Sequence, residues 1–122
     1  MAKTKVFASY DYEHDSDMKS NLIAESKKPD SPFSINDLSL HEEEPDWQQK
    51  ARAAIERCDV VVVLLGDNTH QASVVRREIK MARQIGKRRF QLRKQGHNPK
   101  PLEGAGDVVA WRWRNLKKYL AK

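Results

Sequence analysis

Six apolar residues in a row, VVVVLL at 60–65, constrain this chain more than any other stretch. A strand with one wet face alternates apolar and polar residues. A β-branched run with no polar break fits a strand buried on both faces, as in the middle of a parallel sheet. Parallel neighbours need crossover connections, usually helices, so strands and helices should alternate on either side of the run.

They do. KVFASY (5–10) is apolar and β-prone. Residues 15–28 suit a helix capped by Asp15, with Met18, Leu22 and Ile23 as its apolar stripe. The breaker cluster KKPDSP (27–32) leads into a short edge-type strand, FSINDLSL (33–40). EEEPDW (42–47) opens a second helix, with acids at its positive end and Pro45 in its first turn. Trp47, Ala51, Ala54, Ile55 and Cys58 then mark one face of that helix. After the 60–65 run, a third helix is expected over about 73–86, stopped by Gly86. RRFQLRK (88–94) reads as a strand, GHNPKPLEGAG (96–106) as a loop, DVVAWRW (107–113) as a last strand and RNLKKYLAK (114–122) as a closing helix.

The pattern is a single α/β domain over residues 1–122: a flavodoxin-like three-layer sandwich with a five-stranded parallel sheet in the order 2-1-3-4-5. The crossover helix between the fourth and fifth strands is missing. In such sheets ligands bind beyond the carboxyl ends of the strands, beside the switch point between strands one and three. Those loops carry Ser9, Tyr10, Asp11, Gly66, Asp67 and Asn68, and the third helix begins nearby at Ser73.

One acid on the third helix stands out. At about 100° per residue, Val75, Ile79 and Ala82 define an apolar arc, and Arg76, Arg77, Lys80 and Arg83 lie on the opposite side. Glu78 falls inside the apolar arc. Burying a carboxylate is costly unless it is paired or hydrogen-bonded, so Glu78 is either a functional acid or an acceptor that holds the neighbouring loop.

Charge is unevenly spread. Residues 1–58 carry 8 Lys/Arg against 12 Asp/Glu, and residues 59–122 carry 15 against 5. The basic half is either a solvated helix face or an anion-binding surface. A strip formed by Arg76, Arg77, Lys80 and Arg83 would bind nucleic acid in a salt-sensitive way, the least favoured of the readings.

Other constellations carry less. His14, His41, His70 and His97 lack metal-ligand spacing. Asp11 and Asp67 resemble the acidic pocket of a phospho-receiver domain, but Trp111-Arg112-Trp113 stands where its lysine belongs. Cys58, the single cysteine, reads as a buried core thiol, and Trp111 and Trp113 as one packed strand face. No apolar run is long enough to span a membrane, and MAKTKVFASY enters a strand pattern in place of a signal-peptide core. A cytoplasmic protein is the expectation.

Read together, KVFASYDYEHD, FSINDLS, DWQQKARAAIERCDVVVVLLGDNTH, SVVRREIKMARQIGKRRFQLR and VVAWRWRNLKKYL resemble the small TIR-like proteins of bacteria and archaea, including those of Thoeris antiphage systems. The most specific piece runs from Cys58-Asp59 to Ala82, through G-x-x-T-x-x-S-x-V-x-x-E-I-x-x-A. The resemblance implies NAD as substrate, with no further cofactor, and cleavage of its nicotinamide–ribose bond by a glutamate on the helix after strand three. Glu78 falls on that position. Some such enzymes cyclise the ADP-ribose product into a signal for a downstream effector, and self-association is a further implication. Typical members carry an aromatic residue shortly before the glutamate, where Val74 and Val75 stand here. A non-catalytic nucleotide-binding or self-association module is the alternative.

Overall fold

A computed structural model describes residues 3–36 and 45–121. The described elements are β1 (Thr4–Ser9), α1 (Ser16–Ser26), β2 (Phe33–Ile35), α2 (Trp47–Arg57), β3 (Val60–Leu65), α3 (Ser73–Ile85), β4 (Arg88–Arg93), β5 (Val108–Ala110) and α4 (Trp113–Leu120). A single 3-10 turn, Thr69–Gln71, precedes α3. The five strands form one parallel sheet in the order β2-β1-β3-β4-β5, the flavodoxin-like order the sequence predicts.

The 60–65 run is the centre of the molecule. All six side chains are at most 1% exposed. Each such burial is worth about 1.5–3 kcal/mol, so this strand alone anchors two cores. Phe7, Val61, Val63 and Leu65 face Trp47, Ala51, Ala54 and Ile55 of α2 and Val74, Val75, Ile79 and Ala82 of α3. On the opposite face Val6, Val60, Val62, Leu64, Phe90 and Leu92 meet Met18 and Leu22 of α1 and Leu116 and Leu120 of α4. α3 ends where expected, with Gly86 in the left-handed conformation (φ +81°) and its N–H bonded back to Ala82 and Arg83 carbonyls.

The connection from β4 to β5, residues 94–107, crosses without a helix. It stays in place by filling the α3 side of the sheet with Leu102 and Ala105, both buried. Gln91, itself 1% exposed, clamps it: Nε2 donates to the carbonyls of Leu102 (3.1 Å) and Gly106 (2.9 Å), and Oε1 accepts from Leu102 N–H (2.8 Å).

Some boundaries differ from the sequence reading. α2 begins at Trp47, so Pro45 precedes the helix, and residues 37–44, which include the end of the expected second strand and the acids 42–44, lie outside the described residues. β5 is only three residues long, and Trp113 is the first residue of α4. Trp111 and Trp113 therefore do not alternate along one strand. Both are half-buried against the α1/α4 core, because their indole N–H groups reach out to Glu25 (2.8 Å) and Asp30 (3.2 Å). Asp15 stands at the start of α1 without capping it through its side chain.

Candidate functional site at the carboxyl edge of the sheet

Ser9 ends β1 with the same pleat direction as Phe7, toward α2 and α3. Glu78 lies in the second turn of α3, on the inward side that the helical period assigns it, and its side chain leans toward the helix N-terminus. The two meet: Ser9 Oγ donates to Glu78 Oε1 at 2.7 Å, across 69 residues of sequence. Ser9 is 0% and Glu78 1% exposed. A hydroxyl donating to a buried carboxylate at such a short distance is a strong, directional contact.

Asp11 and Asp67 sit elsewhere on the same edge. Asp11 organises the loop after β1: Oδ1 accepts from Glu13 N–H (3.0 Å) and Oδ2 is 2.7 Å from His14 Nδ1. That hydrogen bond, reinforced by the carboxylate charge, raises the exposed His14 above the usual histidine range. Asp67 is exposed and borders a small cavity of about 60 Å³ with Asp15, Gly66, Lys94 and His97. Asn68 is half-exposed at the start of the 3-10 turn, and Ser73 is exposed at the start of α3. Tyr10 turns to the other face of the sheet, into the α1/α4 core, with Lys19 over its ring and Tyr12 edge-on at 4.6 Å between centroids. The structure thus joins Ser9 to Glu78, places Asp67 at a neighbouring cavity, and packs Tyr10 on the far side.

A knot beside this pair escaped the sequence reading. Thr69, fully buried, accepts from Gly66 N–H (2.7 Å) and lies 3.2 Å from Asp15 Oδ2 and 3.3 Å from the Leu64 carbonyl. One hydroxyl proton is shared between those two acceptors. A Cβ on Gly66 would sit 2.4 Å from the Asp15 carboxylate, so only glycine lets α1 approach the end of β3 this closely. Burial pushes the Asp15 carboxyl above the usual carboxylate range, with the Thr69 bond opposing. The G-x-x-T spacing was the available signal: a threonine three residues after a strand-ending glycine can return its hydroxyl to that glycine's N–H.

α3 carries no aromatic residue ahead of Glu78, and α2 contributes one to the core that α3 packs against. Trp47, 2% exposed, belongs to the same core as Val74 and Val75, and the Arg77 guanidinium lies 6.0 Å from its ring centroid. Cys58 is buried and its thiol is pushed up by burial, which suits a core role. Among the described residues no cluster of three or more His, Cys, Asp or Glu is placed to hold a metal ion, and no helix is long and apolar enough to cross a membrane.

A comparison with the curated proteins finds no match. The family model for the TIR-like domain of Thoeris protein ThsB matches residues 7–98, from the second half of β1 into the loop after β4, and so covers β3, α3 and both members of the Ser9–Glu78 pair. With that span, the parallel 2-1-3-4-5 sheet and the edge geometry together, the chain belongs to the ThsB TIR-like family of Thoeris antiphage defence.

Proposed function

We propose that this domain cleaves NAD at the nicotinamide–ribose bond, with Glu78 as the catalytic carboxylate, and supplies an ADP-ribose-derived signal to a downstream effector in antiphage defence. The observation that carries the reading is the buried Ser9–Glu78 hydrogen bond at the carboxyl edge of β1. The chemistry suits one carboxylate. When the C–N bond breaks, its electron pair returns to the cationic pyridinium nitrogen, and nicotinamide leaves neutral without needing a general acid. The ribose C1′ acquires oxocarbenium character, and an adjacent carboxylate stabilises that charge. Water then adds at C1′ and gives up a proton, or a nucleophile within the ADP-ribose closes a ring. Ser9 holds one Glu78 oxygen, leaving the carboxylate oriented in advance. Asp11, Asp67, Asn68 and Ser73 are proposed to border the bound nucleotide, and Tyr10, packed on the other face of the sheet, is not among them.

Both members of the pair are sealed from solvent. In this proposal the described form is closed, and turnover follows opening by self-association or by a trigger. The same burial favours a second reading, in which Glu78 is a latch that ties α3 to β1 and the domain works by binding alone.

One variant separates the two. Glu78→Gln keeps the side-chain shape but cannot stabilise a developing cation. Under the catalytic reading, NAD turnover followed by mass spectrometry of the products falls at least about a hundredfold, while the melting temperature holds or rises. Under the latch reading, stability drops by about 1–3 kcal/mol, because a charge-assisted bond is replaced by a weaker neutral one. An active parent whose Gln variant turns over NAD at the same rate ends the catalytic assignment.

A further inference from the structure

α3 has a second working face. Arg76, Lys80 and Arg83 are spaced four and three residues apart, which stacks them in one row over roughly 10 Å of helix. Opposite them stands the β4–β5 crossover. Between the two lies a cavity of about 570 Å³ lined by His70, Arg76, Lys80, Arg83, Lys100 and Glu103, with Ile79, Pro101 and Leu102 as its apolar part. That volume falls in the range of small-molecule sites, about 300–1,000 Å³. Ser9 and Glu78 are not in its lining.

Four permanent cations border this space against one acid. Among the described residues none of Arg76, Lys80, Arg83 and Lys100 makes an ion pair. Cations brought together without counter-charge repel one another, and an anion in the groove relieves this. The fourth base of the helix, Arg77, leaves the row and lies by the Trp47 ring. The basic residues of α3 are therefore divided between two directions and do not form one continuous strip.

The far wall is built in advance. Gln91 fixes Leu102 and Gly106 from beneath. Arg89 Nε donates to the Gly104 carbonyl. The Arg83 side chain rests against Gly104, where an added Cβ would come within 2.8 Å of its Cδ. A cation held by such contacts loses little freedom on binding an anion.

We infer that the groove between α3 and residues 94–107 binds a phosphorylated small molecule of the nucleoside diphosphate or triphosphate class. Arg76, Lys80, Arg83 and Lys100 take the phosphates. Ile79, Pro101 and Leu102 form the surface on which a ring can lie. Glu103 accepts from hydroxyl or amino groups, and its negative charge disfavours a continuous polyphosphate backbone such as that of a nucleic acid. This site stands apart from Glu78 and does not depend on NAD turnover.

The test is calorimetric titration of the purified chain with ATP, ADP, adenosine and a single-stranded oligonucleotide at matched low ionic strength. ATP and ADP contain no nicotinamide–ribose bond, so binding is read separately from any cleavage at Glu78. The expected result is saturable binding of ATP and ADP, with none for adenosine. The Lys80→Glu/Arg83→Glu protein should lose at least tenfold in affinity, and Arg77→Glu should stay within about twofold of the parent, both variants being checked for folding by circular dichroism. Absence of ATP and ADP binding overturns the proposal. So does an equal loss from Arg77→Glu, and so does an oligonucleotide that binds more tightly than ATP and is weakened alike by charge reversal at all four helix bases, which makes the face a nucleic-acid surface.

Discussion

Of the buried carboxylates near the carboxyl edge of the sheet, Glu78 and Asp15 have partners that differ in a way that sets different expectations. Glu78 receives a short hydrogen bond from Ser9. Asp15 receives only a share of the Thr69 hydroxyl and sits against the bare α-carbon of Gly66. Its carboxyl is held above the usual range by burial. A carboxyl whose folded pKa exceeds its unfolded value costs stability wherever it is ionised in the fold, and that cost disappears below the unfolded value, near pH 4. Asp15→Asn should therefore raise the melting temperature at pH 7, with the gain shrinking as the pH is lowered through the folded pKa toward 4. Paired thermal scans from pH 4 to 7 check this, and a gain that grows toward acid contradicts it. Glu78 was legible in the sequence because one acid in an apolar arc is a break in a period. Asp15 was legible only as a helix start. Its true partner, Thr69, is 54 residues away, and no local pattern reports a contact at that range.

Among the elements, long periodic ones were read closely and short ones were not. β3 and α3 carry their signals over six and thirteen residues, and both lie where the periods place them. β5, with three residues, was drawn too long because the Val-Val-Ala-Trp-Arg-Trp alternation continues past its end into the first turn of α4. The missing crossover helix was visible as a stretch rich in glycine and proline. What replaces it was not, since the replacement rests on Gln91, a polar side chain in the buried part of β4. Gln91→Leu should leave the sheet intact yet strip Leu102 N–H of its acceptor and two carbonyls of their donor. Urea unfolding is expected to show a loss of about 2–6 kcal/mol, since each of the two buried Leu102 groups left unsatisfied costs about 1–3 kcal/mol while the exposed Gly106 carbonyl can turn to water. An unchanged midpoint would mean that the crossover holds its place by Leu102 and Ala105 packing alone.

At the scale of the whole molecule, the sheet is thick in the middle and thin at its margins. β1, β3 and β4 are six residues each, and β2 and β5, at the two edges, are three each. Unfolding free energy should follow that gradient, with local opening beginning at the edges. Deuterium uptake measured by mass spectrometry should be slowest over residues 61–64 and at least tenfold faster over β2 and β5; a uniform rate across the five strands would contradict it. The order of strands was legible because an uninterrupted apolar run can only be central, and the family because motifs recur in order along nearly the whole chain. The two faces of α3 were legible as charge and hydrophobicity, whereas the groove was not. A groove needs an opposite wall, and that wall comes from irregular chain with no period to read.

That wall has a consequence for how such a domain can diversify. The crossover is tied down at Leu102, Gly104 and Gly106, while Lys100 and Glu103 stand exposed between and beside those ties. Exchanging these two residues disturbs no strand, no helix and no core contact. Glu78, by contrast, is enclosed by the cores that hold the sheet together, and little around it can change without cost to the fold. Ligand preference at the proposed groove site is thus free to drift by single surface replacements over generations, on a scaffold whose carboxyl edge stays the same.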